Sequence, residues 1–174
     1  ISGPPHHRAT HTRDANAGPF DGADTHVDVT TNATACWFLL ETLRDYGDIV
    51  PPYSLNLPGS NQQQGDLVPL MGWGLDWLKR MQNSDGSVHY YVIDNSSSGT
   101  TQTQQVSDIS SFATACAAAV FAKAYVTLSN SLPSDESADL LARGQLAWSW
   151  LQANPNMVQP RLPLSGGVDP GADD

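Results

Sequence analysis

Two carboxylates three residues apart, Asp21 and Asp24, stand in the stretch Gly18-Pro19-Phe20-Asp21-Gly22-Ala23-Asp24-Thr25-His26, just ahead of the first long helical pattern. A rigid turn running into a helix N-terminus holds both acids on one side of the backbone, where a single water can take contacts from each. That is how a general base holds its nucleophile. Bare, the same spacing would also serve as helix capping ahead of Asp28. The remaining candidates are sparser. His7, His11 and Asp14 have helix-compatible spacing for a metal, but they sit on a polar arm with no cysteine nearby, so no metal is assigned. Glu41 lies mid-helix between Leu40 and Leu43 and reads as a surface or salt-bridged residue. Glu136 follows Ser134 and Asp135 at a helix start, where acids favour the positive end of the helix dipole.

The elements that must position these groups follow from periodicity. Residues 1–17 are polar and aperiodic, an extended arm lying on something else. Asp28 to Tyr46 is a first helix, with Ala33, Trp37, Leu40 and Leu43 or Arg44 at three-to-four spacing and Gly47 ending it. Ile49 to Gly65 is a long connection of the kind that forms functional rims. Asp66 is expected to cap a second helix, Leu67 to Gln82, with Leu70, Trp73, Trp77 and Met81 as its buried stripe. After Asn83-Ser84-Asp85-Gly86, the alternation in Ser87 to Ile93 predicts a short extended segment, too little for a sheet of its own. Asn95 to Gln105 reads as an exposed Ser/Thr/Gln/Gly loop.

Ser110 or Ser111 starts a third helix, Phe112 to Leu128, nearly apolar on every side and so expected to be enclosed by other helices. Ser134 is the expected N-cap of a fourth, which buries Leu140, Leu141, Leu146, Ala147, Trp150 and Leu151 and stops before Asn154-Pro155. A weak repeat joins Leu75 to Asn83 with Ala147 to Asn154, both ending a helix on Trp-Leu and then Asn. Alternation of an all-apolar helix with an amphipathic one suits a two-layered ring of helices, an all-α toroid built from helix hairpins. In such a ring each helical Trp is first a packing residue and only second a surface for sugar.

Composition narrows the partners. The 174 residues can build one domain with a sizeable core, and the net charge of −10, from 18 acids against eight Lys and Arg, argues against nucleic acid or an anionic membrane. Neutral substrates fit better. No stretch reads as long and apolar enough to span a membrane. Cys36 and Cys116 fall among apolar helical neighbours and read as buried free thiols. Asn95-Ser96-Ser97 is a glycosylation sequon in a loop, whereas Asn32-Ala33-Thr34 lies in a helix and is accidental.

The order of these features resembles glycoside hydrolase family 9, the cellulase-type enzymes built on an (α/α)6 barrel. Gly18 to Asp24 resembles the family's Gly-Gly-Trp-x-Asp-Ala-Gly-Asp loop, with Pro19-Phe20 and Gly22-Ala23 as departures. Asp66 to Gln82 is similar to its Pro-Asp-Leu-Leu-Asp-Glu helix ending Leu-Asp-Trp-Leu-x-x-Met-Gln. Asp85 to Tyr90, Val106 to Tyr125 and Ala147 to Pro155 resemble the segments that follow. Thr10 stands where a subgroup has a zinc-binding Cys, so the resemblance implies no zinc here.

The resemblance implies an N-terminal portion of one (α/α)6 catalytic domain over residues 1–174, with residues 1–27 as arm and catalytic loop and 28–174 as helix hairpins. It implies inverting hydrolysis of β-glycosidic bonds in cellulose-type glucans, with Asp24 as base and Asp21 as co-anchor of the water. Phe20, His26 and His89 are the expected sugar contacts. No cofactor is implied. The general acid is not identified in this chain, so the remainder of the barrel beyond Asp174 is an expected partner, and an extracellular location suits a polymeric substrate. A sugar-binding pseudoenzyme, or another α/α-toroid enzyme such as an exo-glucosaminidase or a lyase, is the alternative.

Overall fold

The computed structural model describes residues 26–49, 55, 57, 60, 64–94 and 104–160. In chain order these form β1 (His26–Asp28), α1 (Val29–Tyr46), α2 (Leu67–Met81), β2 (Tyr91–Asp94), β3 (Gln104–Val106), α3 (Ser111–Leu128) and α4 (Ser134–Ala153). All four helices predicted from periodicity are present, and the boundaries differ by a residue or so.

The helices pack in the spatial order α2, α1, α3, α4. One face of α1 supplies Val29, Ala33, Cys36 and Leu40 to the core; Ala33 and Leu40 belong to the expected recurrence, whereas Trp37, also expected there, is 39% exposed and Cys36 takes its place. Asp28 caps it, accepting from the amides of Thr30 at 2.6 Å and Thr31 at 3.0 Å. On α2 the buried face differs from the expected stripe: Val68, Met71, Leu75, Trp77, Leu78 and Met81 are buried, while Trp73 is 46% exposed. The cause is Gly74, which backs onto α1 so closely that an added Cβ would lie 2.7 Å from Cys36 Sγ. That approach turns the 71/75/78 face inward and rotates Trp73 out by one position.

Both expected acidic and hydroxyl caps at later helices are corrected. Asp66 makes no capping bond to α2; its carboxylate accepts instead from Ser60 Oγ at 2.5 Å and the Leu55 amide at 2.8 Å, tying down the preceding connection. Pro133 occupies the N-cap position of α4, and Ser134 is already helical. Ser110 does cap α3, accepting from the amides of Phe112 and Ala113.

Helix α3 lies between α1 and α4 and buries Ala113, Ala117, Val120, Phe121, Ala124 and Leu128. Its enclosure is incomplete among the described residues, since Phe112 is 62% and Val126 73% exposed, with Ala115, Ala119 and Ala122 between them. Its composition also corrects the membrane reading. The 18 residues Ser111–Leu128 have a mean hydropathy of 1.4, enough in length and composition to cross a bilayer. Its packing against α1 and α4 accounts for the apolarity of the buried face only. Glu41 of α1 pairs with Lys123 of α3 and with Arg44, as a mid-helix carboxylate should. Lys123 also lies 5.3 Å from the Trp37 ring centroid, so the part-exposed Trp37 and the ion pair close the α1–α3 seam together.

The extended segment does not stand alone. Tyr91–Asp94 is the centre of a three-stranded antiparallel sheet ordered β1-β2-β3, pairing His26 with Ile93, Val27 with Val92 and Asp28 with Tyr91 on one side, and Val92 with Val106 on the other. Sequence reading missed β1 and β3 because three-residue strands carry too little alternation to register. Cys36 and Cys116 are free thiols, the first buried and the second half-buried, and Asn32 of the helical sequon is only 3% exposed.

Candidate active site

Asp21, Asp24 and Phe20 lie outside the described residues, as do the arm residues His7, His11 and Asp14. What the structure describes is the frame that follows Asp24. His26, two positions later, opens β1, and its backbone pairs with Ile93. The pairing runs on through Asp28 opposite Tyr91 and ends on a bond from the Val29 amide to the Tyr90 carbonyl at 2.9 Å. With Asp28 capping α1 immediately afterwards, the chain from His26 onward is held by a sheet and then by a helix start.

A polar and aromatic cluster gathers where β1 meets α1. Thr30 Oγ1 donates to Asp28 at 2.5 Å, and the Tyr90 phenol lies against both residues. Burial, joined by the Asp28 charge, holds that phenol above its ordinary range. Cys116 of α3 lies within electrostatic reach of Asp28, and its thiol is likewise pushed up, mainly by burial. Tyr90 and Tyr91 meet edge to face with ring centroids 5.6 Å apart.

His89, expected to meet sugar, is buried, at 6% exposure. Its Nδ1 lies 2.6 Å from the Ser107 carbonyl and its Nε2 3.2 Å from Asn83 Oδ1. A carbonyl can only accept, so Nδ1 carries a proton. Asn83 in turn donates from Nδ2 to Ser87 Oγ at 2.9 Å, and Ser87 Oγ donates to Asp85 at 2.6 Å. The ring therefore bridges the turn after α2 to the segment after β3.

Ser107 is a residue that no motif or periodicity singles out. Buried at 2%, its Oγ accepts from the amides of Tyr90 and Tyr91, each at 2.9 Å, and donates to the Asp108 carbonyl at 2.9 Å. Its own amide donates to the Tyr91 carbonyl at 2.9 Å. One step back, Val88 is held by Thr114 Oγ1 at 3.0 Å and through its carbonyl by the Ser110 amide at 3.0 Å. The start of α3 thus grips the chain that leads into β2. A Val-Ser-Asp-Ile string offers no periodic or motif signal for this, because the role depends on which backbone the serine meets.

A second polar concentration, around Lys79, Gln82, Asp139 and Arg143, joins α2 to α4. Arg143 Nε pairs with Asp139 at 2.9 Å, its Nη1 donates to Gln82 Oε1 at 3.3 Å, and Gln82 Nε2 donates to the Arg143 carbonyl at 3.0 Å. These charges satisfy one another, which marks a packing joint. Among the described residues no three His, Cys, Asp or Glu side chains gather to hold a metal.

Helices packed side by side, with a small sheet bracing the start of α1, fit an arc of an α/α toroid. The family model of glycosyl hydrolase family 9 matches residues 2–170. The chain belongs to that family and folds as part of its (α/α)6 toroid. Among solved structures it is similar to a metagenome-derived glycoside hydrolase family 9 endoglucanase, at 30% identity and a TM-score of 0.77, covering 87% of this chain and 28% of that one. It is also similar to a zinc-binding triple mutant of the family 9 endoglucanase J30, at 25% identity and a TM-score of 0.76, covering 99% and 32%. A Bacteroides ovatus family 9 protein shares the fold at 24% identity and a TM-score of 0.70, covering 79% and 27%. No curated protein matches. The chain spans about a third or less of the length of these solved relatives.

Proposed function

We infer that this chain supplies the water-activating side of an inverting β-glucan hydrolase of the cellulase type. The family match over residues 2–170, which includes the loop Gly18 to Asp24, carries the reading. In it, Asp24 takes the proton of the attacking water and Asp21 anchors that water from a second side. Phe20 and His26, which flank the two carboxylates in the sequence, meet the sugar. His89 has a different task, because its ring is turned into the fold. Inversion needs a protonated acid on the opposite face of the scissile bond, with the two carboxyls about 6.5–9.5 Å apart. Glu41 is engaged by Lys123 and Arg44, and Glu136 lies in the first turn of α4, so the acid comes from the remainder of the barrel. A polymeric glucan is met outside the cell, and an extracellular location accompanies the proposal.

The test is Asp24→Asn in the full-length enzyme, which keeps size and hydrogen bonding but removes the proton acceptor. Turnover of soluble β-glucan oligosaccharides is expected to fall about 10²-fold or more while substrate still binds. Asp21→Asn should weaken turnover as well. NMR of the first anomer released checks the stereochemistry: wild-type turnover by Asp24→Asn removes the base assignment, and retained configuration removes the inverting class. Binding without any turnover by the wild type points to a pseudoenzyme.

A further inference from the structure

The geometry points to His89 and Ser107 as positioning residues that set where the Asp24 carboxylate stands, acting through the β1–β2 pairing. The inference rests on the reading of Asp24 as the base. Only Thr25 separates Asp24 from β1, whose backbone is hydrogen-bonded to β2 from His26 to Asp28 and then through Val29 to Tyr90. The placement of β1 is therefore the placement of β2 at residues 90–93.

Ser107 is what fixes β2 there. One hydroxyl oxygen takes the amides of both Tyr90 and Tyr91, at the point where the β1 ladder ends on the Tyr90 carbonyl. His89 holds Ser107 in turn, through the 2.6 Å bond from Nδ1 to its carbonyl, and is itself held by Asn83. Both groups are more than nine-tenths buried. Buried hydrogen bonds of this kind rigidify the backbone that they join. Catalytic geometry is sensitive on this scale, since a misplacement of about 1 Å can cost about 10²-fold in rate. A role in sugar contact would leave a ring nitrogen of His89 turned outward, whereas here both face protein oxygens.

Amide isosteres separate the two links. Asparagine places its donor near the position of Nδ1, and glutamine places one near Nε2. His89→Asn thus keeps the bond to Ser107 and loses the one to Asn83; His89→Gln does the reverse. In the full-length enzyme, with kcat and KM measured on a soluble β-glucan oligosaccharide below the melting temperature of each variant, Ser107→Ala and His89→Gln are expected to lower kcat about tenfold with KM within about twofold. His89→Asn and Ser107→Thr, which keep the donor and the hydroxyl, should restore most of the loss.

The decisive arm combines each change with Asp24→Asn. A residue that acts by placing the Asp24 carboxylate has nothing left to place, so Ser107→Ala should add little to the slow residual rate. Equal fractional losses in both backgrounds, or wild-type kcat in Ser107→Ala and His89→Gln, overturn the positioning role and leave the base assignment standing. Wild-type turnover in Asp24→Asn alone overturns the base assignment and the positioning role with it. If Ser107→Ala does not fold, the His89 pair carries the same comparison, and glutamine as good as asparagine there overturns the inference.

Discussion

Gly86→Ala is expected to be among the most damaging single-methyl additions in this fold. Gly86 ends the turn after α2 at φ 97°, with its amide donating to the Asn83 carbonyl at 3.0 Å while the Asn83 amide donates to the Ser87 carbonyl at 2.8 Å. An L side chain held at positive φ costs about 1–2 kcal/mol. The new Cβ would also lie 2.3 Å from the Leu146 carbonyl oxygen of α4, an atom fixed by its own helix. Relieving that contact requires backbone movement, in the range of about 1–3 kcal/mol for an overpacked site. The sum is about 2–5 kcal/mol, a large fraction of the stability of an ordinary domain. Gly72→Ala is the matched control: it lies inside α2 with nothing within 4 Å of its added Cβ. There the methyl should stabilise by about 0.5–1 kcal/mol through helix propensity and a less flexible unfolded chain. Urea unfolding followed by far-UV circular dichroism gives both values. A Gly86→Ala loss below about 1 kcal/mol, or equal effects from the two changes, refutes the packing of this turn against α4.

Two further outcomes follow from groups whose titration the fold alters. Hydrogen bonds from Ser60 Oγ and the Leu55 amide hold the Asp66 carboxyl below its usual range. A depressed folded value means that stability is present above the unfolded value of about 3.9 and lost as pH falls through the folded one. Unfolding free energies of wild type and Asp66→Asn should therefore differ most at neutral pH and converge below about pH 4; a gap that stays constant down to pH 3 contradicts the assignment. Burial pushes the Cys36 thiol up to about 12, so iodoacetamide at pH 8 should leave it unmodified in the native protein and label it once unfolded. Mass spectrometry after a timed reaction decides this, and native labelling of Cys36 at the rate of a free thiol refutes its burial against Gly74.

The four helices were legible because each carries a local signal repeated over several turns, as in Ala33 and Leu40 on α1, although Trp37 of the same recurrence lies at the surface. That Glu41 is a surface or ion-paired residue and that α3 starts at Ser110 or Ser111 were legible for the same reason, while the structure decided for the ion pairs and for Ser110 as the cap. The face of α2 was legible only in part, at Trp77 and Met81. Its tryptophans advertise a stripe through Trp73, but the glycine at 74 lets α1 approach from the adjacent side, and close approach outweighs side-chain size. Asp66 shows the same limit, since a carboxylate at a helix start caps it only if no nearer donors compete, and here Ser60 and Leu55 do.

The sequence by itself determined the helical layout and the net negative charge, because these depend on composition and on contacts a few residues apart. It also carried the family resemblance, through ordered motifs along nearly the whole chain. Tertiary structure alone decided the three-stranded brace at the start of α1 and the turning of His89 inward onto Ser107. The partners in those contacts lie 18 residues apart for His89 and Ser107 and farther for β1 and β2, and short strands have no periodicity to announce them. Where a side chain finds its hydrogen-bond partner across such distances, only the path of the folded backbone decides whether it faces substrate or supports the residues that do.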